Sequence, residues 1–283
     1  MANNSSILFE IVKKNLQKPA FFLQKRINPV IALDIEINET ISFVAHCWMP
    51  LPDKQSDITH QSIHHHGKLL LTSVAAYGIG YESIIFKKEY SINKESGETF
   101  MQIDKIYKNP FLNIEFIDIN TPHVVFYPSE FSITYAIWTN VESSTSENLK
   151  KLGLINKYKK QLRKLIDFFG AAKLMGLNTN EYLDFYPKDD KIMAMKSRVM
   201  YPEGSNSSFV KGVFSMLQTI QYNDIDSVKN AINSLPPKKI AELLKIADSF
   251  QKKETMLDDF EKKHLNIEYI NFKKNALAKV LNF

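Results

Sequence analysis

From Val30 to Asn140 the chain repeats one pattern, a short apolar alternation closed by a turn, and this pattern limits the possible folds more than any other feature. Residues two apart on an extended chain share a face, so Ile31, Leu33, Ile35 and Ile37 are expected inward while Ala32, Asp34, Glu36 and Asn38 face water. Asn38-Glu39-Thr40 reads as a turn, after which Ile41, Phe43, Ala45 and Cys47 resume the alternation and complete a hairpin. Lys68 to Tyr77 and Tyr81 to Lys87 read as two more strands, joined by a tight reversal at Gly78-Ile79-Gly80. ETFMQIDKIY, LNIEFIDI, HVVFY and FSITYAIWTN supply four others, separated by the turn-prone NKESG, KNP, NTP and PSE. Some eight short strands with no helix between them predict an antiparallel β-barrel or double-sheet jelly roll.

Helical periodicity brackets this region. SILFEIVKKNLQ has one apolar face and Pro19 punctuates it, so residues 5–25 are expected to cap the sheet as one or two short helices. Beyond the polar break at 141–146, five segments read as helices: NLKKLGLINKYKKQLRKLIDFFGAAKLMG, SSFVKGVFSMLQTIQ, IDSVKNAINSL, PKKIAELLKIADSFQKK and the stretch from Thr255. Pro237 sits just inside a helix start and Asp226 at a plausible cap. The expected class is mainly β plus α. Residues 1–145 would hold the N-terminal helices and the barrel, and residues 146–283 a helical domain serving as a lid, a homodimer surface or a module for a protein partner.

Charge separates the halves. Residues 1–145 carry 12 Lys+Arg against 15 Asp+Glu, whereas residues 146–283 carry 24 against 16. The basic half lacks the aromatic–basic interleaving of a nucleic-acid surface, and its lysines alternate with acids as on an ordinary solvated helix face. The start of the chain lacks a small-residue cleavage site, and the apolar run Leu69–Tyr81 is too short to span a bilayer. A single cysteine, Cys47, excludes an intramolecular disulfide framework. A cytoplasmic protein with no membrane partner is expected.

The concentrated chemistry lies in QSIHHHGKLLLTSVAAY. In an extended segment His64 and His66 offer two imidazole nitrogens to one point while His65 faces away, and His123, opening a later apolar strand, is the best third ligand. Three neutral imidazoles suit iron, zinc, nickel, manganese or copper and leave positions for water, substrate or dioxygen. Consecutive histidines in a polar loop also occur simply as solvated side chains. These, however, stand where a polar run meets an apolar strand, as a pocket mouth would. Tyr77, Tyr81 and Tyr127 supply hydroxyls that either face a bound ligand or find backbone partners.

CWMP, then QSIHHH, an apolar strand and a later histidine before a serine-bearing strand together resemble the cysteine-dioxygenase type of thiol dioxygenase in the cupin superfamily, over residues 30–140. The resemblance implies ferrous iron on His64, His66 and His123, and a dioxygenase acting on a small-molecule thiol with dioxygen. It also implies catalytic tyrosine hydroxyls at Tyr77 or Tyr127, and substrate contacts that in this chain fall to Arg26, Trp48 and Glu82, with Trp48 alternatively part of the core. The alternative is a non-catalytic metal- or ligand-binding cupin whose helical half binds a protein partner. The arginine that holds a substrate carboxylate in that family, upstream of the histidine pair, has no counterpart in strands 30–60, since only Arg26, Arg163 and Arg198 occur in the chain.

Overall fold

A computed structural model describes residues 5–18, 21–24, 30–51, 56–59, 62–108, 111–139, 183–196, 206–251 and 272–283. Helix α1 (Ser5–Leu16) and a 3₁₀ turn (Phe21–Leu23) precede the strands β1 (Val30–Ile37), β2 (Ile41–Trp48), β3 (Leu71–Tyr77) and β4 (Glu82–Phe86). Next come β5 (Ser91–Ile92), β6 (Glu98–Phe100), β7 (Ile103–Lys108), β8 (Ile114–Ile117), β9 (His123–Phe126) and β10 (Ser132–Thr139). A late hairpin, β11 (Leu183–Lys188) and β12 (Lys191–Lys196), is followed by α2 (Asn206–Thr219), α3 (Ile225–Asn233), α4 (Pro237–Gln251) and α5 (Lys274–Leu281).

The strands form antiparallel sheets, so the chain is mixed β and α, with most of its described helices C-terminal. A five-stranded sheet runs β1-β2-β10-β3-β8, a three-stranded sheet β7-β4-β9, and a four-stranded sheet β11-β12-β6-β5. The expected β1–β2 hairpin is present, closed by the Asn38 side chain, which accepts from the Thr40 and Ile41 N–H groups. The expected reversal at Gly78–Gly80 is not a hairpin. Strand β3 pairs with β10 and β8, and β4 with β7 and β9, so this link carries the chain from one sheet to the other.

Alternation then sorts the five-stranded sheet into two faces. Ile31, Leu33, Ala45, Cys47, Ile133 and Tyr135 point to one side, where they pack with α1 and with Phe209, Val213, Phe214 and Leu217 of α2 in the largest core. The opposite side carries Val30, His46, Trp48, Ser73, Thr134 and Trp138, which border a cavity shared with His123 and Val125 of the three-stranded sheet. The described C-terminal helices α2, α3 and α4 thus pack on the sheet face that points away from that cavity. The expected helix over 148–176, the polar break at 141–146 and Arg26 lie outside the described residues.

Two further features depart from the sequence expectation. The hairpin β11–β12 falls in the half expected to be helical and extends the sheet of β6 through Ile192–Thr99 and Met193–Glu98. Its Phe185 is fully buried with Ile63, Phe86 and Phe126, in a core that also takes Leu277 of α5. The N-cap of α3 is Asp224, whose carboxylate accepts from the Ser227 N–H at 3.0 Å, and Asp226 stands in the first turn instead. Pro237 begins α4 as expected. No described helix is long and apolar enough to cross a membrane.

Candidate metal centre

Residues Ser62 to His66 run extended beside the start of β9. Ile63 exchanges backbone hydrogen bonds with Phe185 at 2.9 and 2.8 Å, and His64 exchanges them with His123 at 3.0 and 2.8 Å. This second pair is what brings two distant parts of the chain to one point. With His64 anchored, His66 returns to the same side two residues on. His65 turns away, and its Nδ1 accepts from the Gly67 N–H at 3.0 Å.

The three rings cluster, with centroids 5.0 Å apart for His64–His66, 4.5 Å for His64–His123 and 4.7 Å for His66–His123. Their ligand-type nitrogens all lie within 4.8 Å of one another. His64 Nε2 is 3.1 Å from His66 Nε2, close to the roughly 3.3 Å expected for two nitrogens about 2.0 Å from one tetrahedral ion. His64 Nδ1–H donates to the Ser62 carbonyl at 2.9 Å and His123 Nδ1–H to the Thr121 carbonyl at 3.1 Å. Such bonds fix the tautomer and leave the Nε2 lone pairs for a ligand. Burial also holds these imidazoles neutral. It lowers His64 to about 4 and His66 to about 3, and His123, the most deeply buried, falls well below the ordinary range. The donor set therefore fits a first-row divalent metal bound through nitrogen.

The cavity beside the histidines has a volume of about 440 Å³ and a wall that mixes aliphatic side chains with Trp48, Tyr81 and Trp138. The His46 ring stacks on Trp138 at 5.9 Å, Trp48 lies 5.3 Å from Tyr81, and Trp48 Nε1–H donates to Thr134 Oγ1 at 2.9 Å. Neither lysine nor arginine is among its described lining residues. A larger open groove of about 810 Å³, between β6, β12 and α5, is bordered by Lys87, Glu89, Glu98, Asp190 and Lys191 and contains no histidine.

The other residues singled out from the sequence are placed as follows. Trp48 lines the histidine cavity. Tyr77 does not, because it is the last residue of β3, 58% exposed, with its ring against Phe131. Tyr127 is buried behind the wall, its ring 5.7 Å from Trp48 and its N–H donating to the Ile58 carbonyl. Glu82 is drawn off by an ion pair with Lys274 of α5 and does not border the cavity. Cys47 faces the helix-covered core, where burial pushes its thiol up to about 12.

The sequence reading passed over Glu115, Ser73 and Ser83, which form a buried hydrogen-bonded group with Tyr81 against this cavity. Alternation in LNIEFIDI would turn Ile114 and Phe116 inward, so the local signal points the wrong way. Only pairing with β3, which sets Glu115 opposite Ser73, reveals the group. Leaving an isoleucine or phenylalanine side chain exposed forgoes about 1.5–3 kcal/mol of burial each.

Comparison with models of protein families finds no match, and comparison with curated proteins finds none either. Among solved structures, similar ones include an RmlC-like cupin from Desulfovibrio desulfuricans, at 13% identity and TM-score 0.24, covering 38% of this chain and 80% of that one. Another is a protein with a double-stranded β-helix domain from Klebsiella pneumoniae, at 12% identity and TM-score 0.25, covering 41% of this chain and 80% of that one. A variant of oxalate decarboxylase from Bacillus subtilis matches at 14% identity and TM-score 0.25, covering 41% of this chain and 27% of that one.

Proposed function

We propose that this chain is a non-haem iron-dependent oxygenase of the cupin type, acting with dioxygen on a thiol or another small organic substrate at His64, His66 and His123. The observation that carries the reading is the convergence of three neutral imidazoles, two with their outer nitrogens held by backbone carbonyls, beside a cavity of small-molecule size. Bound ferrous iron would supply the redox chemistry and a positive centre for an anionic donor such as a thiolate.

The chain's own residues do the rest. The carbonyls of Ser62 and Thr121 orient the His64 and His123 rings, and the β9 backbone fixes the spacing of the two. Trp48, Trp138 and His46 exclude water from the substrate's side of the cavity. Because the described lining offers no guanidinium or ammonium, a substrate carboxylate would be buried without a partner, which costs several kcal/mol. Thiols without a carboxylate are therefore the preferred class.

The test is metal analysis of protein purified without added metal, paired with oxygen uptake on a panel of thiols. About one iron per chain and thiol-dependent uptake, both lost in His66→Ala, are expected. Zinc, nickel or manganese in place of iron would change the metal assignment. Bound metal without oxygen uptake on any thiol would overturn the oxygenase reading in favour of a ligand-binding cupin.

A further inference from the structure

Strand β8 lies in its sheet in a register opposed to its composition. Ile114 and Phe116 are 63% and 56% exposed, while Glu115 between them is 1% exposed. A strand that buries its acid and exposes its apolar residues breaks the local pattern, and such breaks concentrate at functional sites. The buried carboxylate is well supplied with donors. Tyr81 Oη–H donates to Glu115 Oε2 at 2.6 Å, Ser73 Oγ–H to the same oxygen at 3.2 Å, and Ser83 Oγ–H to Oε1. The Ser73 and Tyr81 hydroxyls also touch each other.

Of this group, Ser73 and Tyr81 border the same cavity as the three histidines. Each hydroxyl has one proton, and both protons are committed within the network, to Glu115 or to the neighbouring hydroxyl. What remains for the cavity is oxygen lone pairs with a carboxylate behind them. The rest of that wall is apolar apart from Thr134 and His46, with aliphatic side chains beside two indoles, Trp48 and Trp138, the ring type that best accommodates a cation.

We propose that Glu115 is a positioning residue for this cavity: it turns the Tyr81 and Ser73 hydroxyls into hydrogen-bond acceptors, and so selects a ligand whose free end is a protonated amine over one ending in a carboxylate. The assignment rests on the three-histidine reading, in which the ligand's other end meets the metal. An ammonium would donate to both hydroxyl oxygens, in a cavity that Trp48 and Trp138 also line. A carboxylate would meet lone pairs and a buried negative charge with no cation in the described lining.

The experiment loads the full-length chain with Co(II) and titrates it with 2-aminoethanethiol, 2-mercaptoethanol and mercaptoacetate, following thiolate–cobalt absorption so that binding is read without turnover. The amine should bind about tenfold more tightly than the neutral thiol, the size expected for one charge-assisted hydrogen bond. The carboxylate should bind most weakly. Glu115→Gln and Tyr81→Phe should each erase the amine preference while leaving cobalt affinity unchanged and moving the 2-mercaptoethanol Kd far less than the 2-aminoethanethiol Kd, a pattern that general loosening of the fold would not give. If Glu115→Gln fails to fold, Tyr81→Phe, which removes only the hydroxyl, decides. Cobalt uptake with no amine preference in the unaltered chain, or a preference that survives in Tyr81→Phe, overturns this proposal alone. No cobalt uptake, or uptake that persists in His66→Ala, overturns the metal reading and this proposal with it.

Discussion

His64 and His123 exchange both of their backbone hydrogen bonds, at 3.0 and 2.8 Å, although one lies in the segment before β3 and the other opens β9. The separation of two candidate ligands is therefore set by main chain, the least compliant part of a protein. The third ligand follows from the period of an extended chain, which returns His66 to the face of His64.

From this geometry His64, His65, His66 and His123 should divide three against one. His64→Ala, His66→Ala and His123→Ala should each weaken metal binding by more than the about 10–100-fold typical of losing an outer-sphere partner. His65→Ala should leave it nearly unchanged, since that ring turns back to the Gly67 N–H. Chelator competition with the four purified variants reads this directly, and the same affinity for His65→Ala and His66→Ala would refute the register.

Acid should destabilise the metal-free protein before most carboxylates protonate. Burial lowers His64 to about 4 and His66 to about 3, whereas an unfolded imidazole titrates near 6.5. Between these values the unfolded chain binds more protons than the folded one, so stability falls as pH drops from about 6.5 towards 3 and is unaffected by these groups above that window. Urea unfolding of the apoprotein at a series of pH values tests the sign. His64→Ala should flatten the slope, and an unchanged slope in that variant would assign the effect elsewhere.

Phe185 ties the late hairpin to the metal segment. It is fully buried, and its backbone pairs with Ile63, the residue before His64. Phe185→Ala should cost about 3–5 kcal/mol of stability and also weaken metal binding, because the strand that positions His64 loses its outer support. Thermal melts and metal titration on the same preparation check both effects. A destabilised protein with unaltered metal affinity would separate the hairpin from the site.

Gly78 is placed where a side chain has no room. Its φ is +74°, and an added Cβ would stand 2.4 Å from the Phe131 carbonyl oxygen and 2.7 Å from Ser132 Oγ. Gly78→Ala should therefore lower stability by at least the about 1–3 kcal/mol of a left-handed non-glycine residue. Denaturant midpoints for the pair would show it, and an unchanged midpoint would mean that the link between the sheets adapts.

The strands were legible in the sequence because period two is a local signal, and β1 and β2 fall at Val30–Ile37 and Ile41–Trp48 as the alternation places them. Their partners were not. Gly78–Gly80 has the composition of a hairpin turn, yet the choice between a hairpin and a crossing to another sheet depends on β9 and β10, far along the chain. The hairpin at 183–196 has a turn-prone Asp189-Asp190 but only short flanking strands, and it owes its place to Phe185 entering a core made by distant residues. At the site, the histidines announced themselves by chemistry and spacing. Glu115 did not, because its strand's pattern turns it outward and only the register with Ser73 turns it in. Tyr77 and Tyr127 were equivalent to Tyr81 as sequence, and strand ends and ring packing separate them.

The central claim is that three imidazoles of this chain hold one metal ion, and X-ray absorption spectroscopy of protein as purified, at known metal stoichiometry, tests it most directly. The account predicts about one first-row metal per chain with three imidazole nitrogens at roughly 2.0–2.2 Å, and loss of the metal in the His64→Ala/His66→Ala double variant. A metal shell without imidazole scattering, or full occupancy retained in that double variant, would contradict it.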